Sequence, residues 1–198
     1  MHVRFLLIFG FLVSQPMSLG WANNSILVSA DGPSEVLQSH PAQPASQPKD
    51  VAQLLKNNHI QTVDDYARWL GQNIKYVKIS GHEEWESWQT TVLRGYGDCK
   101  NLSALNAEVL KNLGFNPRLI GYDMGSGGHL FTIFEKNGVF NIFDNTNLYA
   151  TQLRSMEDVG SLLFQKHNID SLFEINIESK SVQYLFTRAR LAQLAQLN

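Results

Sequence analysis

Residues 129–144 have the sequence HLFTIFEKNGVFNIFD, and this stretch decides the fold. Apolar residues alternate with others on both sides of Asn137-Gly138, a dipeptide that strongly favours a two-residue β-turn. The stretch therefore predicts a hairpin of two antiparallel strands, His129 to Lys136 and Val139 to Asn145, with Lys136 directly opposite Val139.

The register of this hairpin places a histidine beside a carboxylate. Phe131 faces Asp144 across the two strands, so His129 is the diagonal neighbour of Asp144 on the same face of the sheet. An imidazole and a carboxylate can bridge that distance. The face is otherwise apolar, and we expect a helix to cover it; its other members are Phe131, Ile133, Phe140 and Ile142.

The helix that we expect to cover this face begins at the single cysteine of the chain. Asp98 is a good N-cap residue, Cys99 then falls in the first turn, and Gly114 stands where a helix ends. An apolar stripe at helical spacing is formed by Leu102, Leu105, Val109 and Leu113. We therefore predict that Cys99, His129 and Asp144 meet in one site.

A site of this kind suits nucleophilic catalysis. A helix N-terminus and a neighbouring imidazolium both favour the thiolate form of a cysteine. His129 then takes the thiol proton and returns it to a leaving amine, while Asp144 fixes the imidazole tautomer. The first-turn amides after Cys99 are expected to hold a developing oxyanion. The alternative is that Cys99 is an inert buried side chain.

Four motifs resemble a known family. They are GYGDCKNLSAL at 95–105, LKNLGFNPR at 110–118, GGH at 127–129 and FDNT at 143–146. Together they resemble the transglutaminase-like superfamily of papain-type cysteine enzymes, and within it the bacterial transglutaminase-like cysteine peptidases. The resemblance implies that Cys99 is the nucleophile, His129 the base and Asp144 the orienting acid.

The resemblance also suggests where a substrate lies. Trp88 is similar in position to a tryptophan that these peptidases carry before their cysteine. Gly127 and Gly128 precede His129, and they either let a substrate backbone approach the imidazole or form a plain flexible turn. We therefore assign Trp88, Gly127 and Gly128 to a candidate substrate groove.

Calcium is the one cofactor that the resemblance raises. The related peptidases commonly carry Gly-Asp-Cys-Glu-Asp, and some bind calcium through these acids, whereas here Lys100 and Asn101 follow Cys99. A lysine repels a cation, and calcium requires several oxygen ligands. We expect no metal and no cofactor. We also interpret His82 to Glu86 as a solvated helix face rather than as a metal site.

The N-terminus predicts export. A basic residue, Arg4, an apolar run over 5–13 and small residues before a cleavage position after Ala22 are typical of a signal peptide, 1–22. The run is too short to span a bilayer, although an uncleaved anchor stays an alternative. Residues 23–49 are rich in Ser, Pro and Gln and predict a flexible linker. The transglutaminase-like domain is assigned to 50–198, and the protein to the bacterial periplasm or to secretion.

The remaining patterns predict the fold class. Helices are expected near 51–55, 62–74, 83–93 and 182–197, and further strands at 118–122 and 172–177. Helices followed by a meander of strands indicate the α+β class. The resemblance makes this a papain-like or transglutaminase-like core, with N-terminal helices packed on a small antiparallel sheet.

Composition limits the class of function. A formal net charge of -2 over 198 residues leaves no basic excess to neutralise phosphates, so nucleic acid is not an expected partner. We predict a thiol hydrolase that cleaves amide bonds of a protein or peptide through an acyl-enzyme on Cys99, with no membrane span after signal cleavage. Two alternatives stay open: acyl transfer to a lysine amine, as in a transglutaminase, and an inactive scaffold that binds an envelope partner.

Overall fold

The structure is a computed structural model that describes residues 48–79, 85–124, 127–179 and 181–195. All of these residues belong to one compact unit of the chain. The predicted signal peptide, 1–22, and nearly all of the predicted linker, 23–49, lie outside the described residues. Both therefore stay predictions.

Four helices precede the main sheet. They are α1 (Val51–Asn57), α2 (Val63–Asn73), α3 (Trp88–Arg94) and α4 (Cys99–Asn112). Each begins after a side chain that accepts a backbone N–H, namely Asp50, Thr62, Ser87 and Asp98. The predicted capping of α2 by Thr62 is confirmed, and Gly114, with a φ of 87°, follows the end of α4 as expected.

The main sheet has six antiparallel strands in the order β6-β5-β4-β3-β7-β8. They are β3 (Arg118–Asp123), β4 (Gly128–Lys136), β5 (Val139–Asp144), β6 (Asn147–Ala150), β7 (Ser171–Asn176) and β8 (Ser181–Thr187). Two short strands, β1 (Lys75–Tyr76) and β2 (Tyr96–Gly97), pair in parallel. The described elements are completed by α5 (Met156–Lys166) and α6 (Arg188–Ala195). The predicted α+β class is confirmed.

The predicted hairpin is confirmed in its turn and in its register. Lys136 lies opposite Val139. Asn137 and Gly138 have φ values of 58° and 75°, the left-handed conformations of a two-residue hairpin turn. From there the ladder between β4 and β5 runs as far as the pair of Thr132 and Phe143, where it stops.

Helix α4 covers the opposite face of this hairpin from the one predicted. The Thr132 hydroxyl on β4 donates a hydrogen bond of 3.0 Å to the carbonyl oxygen of Ser103 on α4. Phe134 and Phe143 point to the same side and belong to the first core, together with buried side chains of α1 to α4. This core holds α4 against the sheet.

The face of Phe131, Ile133 and Ile142 belongs to a second core, against which side chains of α5 pack. The expectation that α4 covers this face is therefore wrong. Both faces of the hairpin are covered by helices, so both carry apolar residues, and a two-residue period does not tell which helix covers which face. Helix α5 is not among the helices expected from the sequence.

Two other expectations are corrected. Helix α3 begins at Trp88 rather than at 83, because Ser87 provides the N-cap. The predicted closing helix is wrong over 182–187, which lie in β8 and pair with β7. Helix α6 follows only from Arg188. Val182, Tyr184 and Phe186 lie at every second position of this stretch, a period that favours a strand.

Candidate active site

Cys99 is the first residue of α4, and its neighbours fix the start of that helix. The Asp98 carboxylate accepts the backbone N–H groups of Lys100 at 2.9 Å and of Asn101 at 3.1 Å. In return, the side-chain oxygen of Asn101 accepts the N–H of Asp98 at 3.1 Å. This reciprocal capping box holds the peptides on both sides of Cys99 in place.

Gly97, which precedes the capping box, has no room for a side chain. A Cβ atom there would lie 2.7 Å from the Cβ of Asn101 and 3.2 Å from Cγ2 of Thr91. The backbone of Gly97 also pairs with β1, because its carbonyl oxygen accepts the N–H of Val77 at 2.9 Å. The chain therefore enters α4 through a close backbone approach that requires glycine.

His129 and Asp144 contact each other directly. The Nε2 atom of His129 lies 2.6 Å from Oδ1 of Asp144. The side chain of His129 is 17% exposed and that of Asp144 is 41% exposed, so solvent reaches the pair. The contact is the one that the hairpin register predicts between these two residues.

The Cys99 sulfur meets this pair where β5 no longer pairs with β4. The ladder between the two strands stops before it reaches Leu130, and the backbone N–H of Leu130 donates to the Cys99 sulfur. The side chain of His129 forms a second hydrogen bond with the sulfur. Because Asp144 holds Nε2, the imidazole nitrogen left for Cys99 is Nδ1. The structure thus brings all three predicted residues together, although α4 lies on the other face of the hairpin.

The electrostatics of the site favour a thiolate beside an imidazolium. Burial opposes ionisation of the Cys99 thiol, but hydrogen bonds with His129 and with the Leu130 N–H outweigh it, and the pKa of Cys99 is lowered. Burial also opposes the imidazolium, yet hydrogen bonds to Asp144 and Cys99 raise the pKa of His129 to about 9. The negative charge of Asp98 acts against the thiolate, as expected for a neighbouring carboxylate.

Tyr122 adjoins the site, although it is not among the site residues expected from the sequence. It lies opposite His129 in the β3–β4 ladder, and the two ring centroids are 5.4 Å apart. Its ring also stacks on His167 at 5.8 Å. Burial and the charges of Asp144 and Cys99 raise the pKa of Tyr122 to about 12, so its hydroxyl stays neutral. Only the β3–β4 register reveals this neighbour, and no turn signal in the sequence fixes that register.

The turn that follows Asp144 is tied to the first core. Asn106 of α4 donates its side-chain N–H to the carbonyl oxygen of Asn145 at 3.0 Å. The side-chain oxygen of Asn106 accepts the hydroxyl of Tyr66 at 2.7 Å, and Asn106 and Tyr66 are both fully buried. Helices α2 and α4 together therefore fix the end of β5, and with it the position of Asp144.

Glu86 forms a partly buried polar network with the start of α4. Its carboxylate pairs with the Arg94 guanidinium in two contacts, of which the Nη1–Oε1 contact measures 3.1 Å. It also accepts the side-chain N–H of Asn101 at 3.1 Å. The expectation of a solvated helix face is therefore wrong at Glu86, which precedes α3 and is 24% exposed. His82 and the two glutamates that follow it lie outside the described residues.

The three candidate groove residues lie in different surroundings. Trp88 opens α3 and packs, partly buried, against the first core. Gly127 has a φ of 154°, and its carbonyl oxygen accepts the N–H of Met124 at 2.9 Å. Gly128 is exposed, and a Cβ atom there would lie 3.3 Å from the carbonyl oxygen of Tyr122. Their part in substrate binding stays a prediction.

The described residues contain neither a metal-binding cluster nor a membrane-spanning helix. Within those ranges, no three His, Cys, Asp or Glu side chains gather as a metal site would require. Across the same ranges, no helix combines the length and the apolar character needed to cross a membrane.

Comparisons with known proteins find structural similarity only. No family model and no curated protein matches the chain. A provisionally assigned cysteine protease from Cytophaga hutchinsonii is similar over 52% of this chain, with 20% identity and a TM-score of 0.40, and the match spans only 40% of that protein.

Calcium-bound LapG of Legionella pneumophila is similar over 75% of this chain and 87% of its own, with 14% identity and a TM-score of 0.43. A second structure of Legionella LapG covers 77% and 96%, at 11% identity and a TM-score of 0.44. With every TM-score below 0.5, these similarities support no inference about reaction or substrate.

Proposed function

We propose that the protein is a thiol hydrolase that cleaves amide bonds of proteins or peptides through an acyl-enzyme on Cys99. One observation carries the proposal. The Cys99 sulfur is hydrogen-bonded to an imidazole that a carboxylate holds from its other side, at 2.6 Å between His129 Nε2 and Asp144 Oδ1. This is the arrangement in which a cysteine acts as a nucleophile and a histidine as its acid and base.

The first half of the reaction is acylation. The Cys99 thiolate attacks the amide carbonyl carbon, a C–S bond forms, and negative charge moves to the carbonyl oxygen. The N–H groups of Lys100, Asn101 and Leu102 already donate to Asp98, so the expectation that the first-turn amides after Cys99 hold the oxyanion is wrong. We assign the oxyanion to the backbone N–H of Cys99 itself. The C–N bond then breaks, and the imidazolium of His129 protonates the leaving amine.

The second half of the reaction is hydrolysis of the acyl-enzyme. His129, now neutral, removes a proton from a water molecule, which attacks the thioester carbonyl carbon. The C–S bond breaks, a carboxylic acid leaves, and the proton held by His129 restores the ion pair with Cys99. Asp144 takes no part in proton transfer; it orients the imidazole and stabilises its positive charge.

The reaction as proposed requires no metal ion. Two side-chain oxygens beside Cys99 already accept hydrogen bonds within the protein: Asp98 Oδ1 accepts two backbone N–H groups, and the side-chain oxygen of Asn101 accepts a third. Lys100 adds a positive charge at the position where related peptidases carry an acid. Calcium requires several oxygen ligands, and this set does not fit it.

Export is part of the same proposal. It rests on the signal-peptide pattern of 1–22, and it places the enzyme in the periplasm or outside the cell, where its substrates would be exported proteins or peptides. An unpaired cysteine is less expected in an exported protein unless the thiol has a function.

A thiol-directed acylating probe tests the proposal. At near-neutral pH we expect such a probe, for example an activated ester, to acylate Cys99 in the wild-type protein, and water to release the acyl group. Labelling should be lost in Cys99→Ser and strongly slowed in His129→Ala. A folded wild-type protein that is not acylated would indicate an inactive scaffold, whereas release only on addition of an amine would indicate acyl transfer.

A further inference from the structure

The polar network around Glu86 affects the position of Cys99 through Asn101, without contacting the Cys99 side chain. Asn101 presents its side-chain oxygen to the N–H of Asp98 and its side-chain NH2 group to Glu86, both at 3.1 Å. Asn101 is only 4% exposed, so no bulk water substitutes for either partner. The orientation of this one amide therefore decides whether the capping box before Cys99 is complete.

Glu86 sets that orientation. An ionised carboxylate only accepts hydrogen bonds, so it requires the NH2 group of Asn101 on its side. If the amide turned over, its oxygen would meet the Glu86 carboxylate and its NH2 group would meet the N–H of Asp98. The contact with Glu86 would then bring two acceptors together, and the contact with the N–H of Asp98 would bring two donors together. Neither contact would form a hydrogen bond.

Arg94 holds the Glu86 carboxylate in place. The guanidinium contacts both carboxylate oxygens, and its Cζ atom lies 4.8 Å from the centroid of the Tyr96 ring. Glu86 lies directly before α3 and Arg94 ends it, so the ion pair spans the helix and connects it to the first turn of α4. Paired, the two charges cancel, and the carboxylate adds little net charge near the Cys99 thiolate.

We propose that Glu86 is a positioning residue for the nucleophile: through Asn101 it fixes the capping box that aims the sulfur and the backbone N–H of Cys99. This inference rests on the proposed function, because it assigns Glu86 a part in the reactivity of Cys99. The sequence alone gives no sign of it, since Glu86 and Asn101 lie 15 residues apart and belong to no common motif.

A matched control lies elsewhere in the chain. Arg118 on β3 and Glu174 on β7 form a second two-contact ion pair, at 2.9 Å and 2.6 Å, with exposed fractions of 29% and 27% against 26% and 24% for Arg94 and Glu86. Arg118 lies four residues along β3 from Tyr122, about 13 Å at the rise of an extended strand.

The test compares Glu86→Ala with Glu174→Ala. For each variant, the rate of Cys99 alkylation on its alkaline plateau, the rate of acylation by an activated ester and the melting temperature are measured. We expect Glu86→Ala, which leaves the NH2 group of Asn101 without its acceptor, to slow acylation about tenfold, the effect of losing one hydrogen bond of ordinary strength. Glu174→Ala should lower the melting temperature to a similar extent and leave both rates within about twofold of the wild type.

A second variant separates positioning from a loss of folding. The double variant Glu86→Gln with Asn101→Asp again has a donor facing an acceptor at each contact, because the new amide donates to the new carboxylate, which still accepts the N–H of Asp98. We expect it to be acylated faster than Glu86→Ala and close to the wild-type rate. A wild-type rate in Glu86→Ala, or no gain in the double variant, would overturn the inference. Alkylation requires no turnover, so a wild-type protein that alkylates but is never acylated refutes the proposed function instead.

Discussion

His129 and Asp144 are 2.6 Å apart, Nε2 to Oδ1, although the ladder that joins their strands ends before it reaches either residue. The imidazole and the carboxylate thus meet beyond the last paired residues, in the space where β4 is free to receive the start of α4. The Cys99 sulfur lies in this space, which is available because β4 and β5 no longer pair there.

The Asp144 carboxylate is expected to orient the His129 imidazole. Asp144→Asn keeps the size of the side chain but favours the wrong tautomer. In serine proteases the equivalent change lowers turnover by about 10⁴. Because a thiol is intrinsically a better nucleophile than a hydroxyl, we expect a loss on the order of 10²-fold here. The measurement is single-turnover acylation of Cys99 alongside a thermal melt. Acylation at the wild-type rate in a folded variant would mean that Asp144 is only structural.

The acylation rate should depend on pH through both partners of the ion pair. The thiolate forms as pH rises through the lowered pKa of Cys99, and the imidazolium that protonates the leaving amine is lost as pH rises through about 9, the pKa of His129. The active form is therefore expected between these two limits. In the control variant His129→Ala, the midpoint of Cys99 alkylation should rise towards the ordinary thiol value of about 8.5. A falling limb near pH 6.5 in the wild type would contradict a raised histidine pKa.

Calcium should leave the stability of the protein unchanged. A ligand that binds only the folded state raises the melting temperature, and millimolar calcium would do so clearly at any site with a dissociation constant well below that concentration. We expect equal melting temperatures in calcium, in magnesium at matched ionic strength, and in chelator. A rise that is specific to calcium would show that the folded protein binds calcium and would contradict the expectation.

The buried hydroxyl of Tyr66 should contribute measurably to stability. Tyr66→Phe leaves the side-chain oxygen of Asn106 without its 2.7 Å partner inside the first core. The expected cost is about 1–3 kcal/mol in the free energy of unfolding, measured with denaturant. Tyr184→Phe is the control, because Tyr184 is 63% exposed and should change that free energy by less than about 0.5 kcal/mol. Equal effects of the two substitutions would remove Tyr66 from the support of the turn after Asp144.

Local signals account for the parts of this fold that were predicted correctly. The Asn137-Gly138 turn fixes the register of one hairpin, and the N-caps Thr62 and Asp98 fix two helix starts, because each effect acts within a few residues. The choice of helix for each sheet face depends instead on packing between distant elements. When both faces of a strand are buried, apolar residues point to both sides, so the sequence shows no contrast in hydrophobicity between the two faces.

In the site, too, local signals predict some residues, whereas others depend on packing between distant elements. His129 and Asp144 were found together because a single turn relates them, and Cys99 because it opens a capped helix. Glu86 and Tyr122 were not identified, since their contacts depend on how α3 and β3 lie against the site. Such contacts involve residues far apart in the chain and leave no periodic pattern in the sequence.

The hydrogen bond from Leu130 to Cys99 makes the backbone amide of Leu130 a spectroscopic reporter. A proton donated to a charged sulfur resonates far downfield, and acylation or alkylation removes that charge. In a ¹⁵N-labelled sample, the Leu130 cross-peak should therefore move upfield as Cys99 becomes acylated and return as water releases the product. This single resonance would allow the lifetime of the covalent intermediate to be followed without any knowledge of the natural substrate.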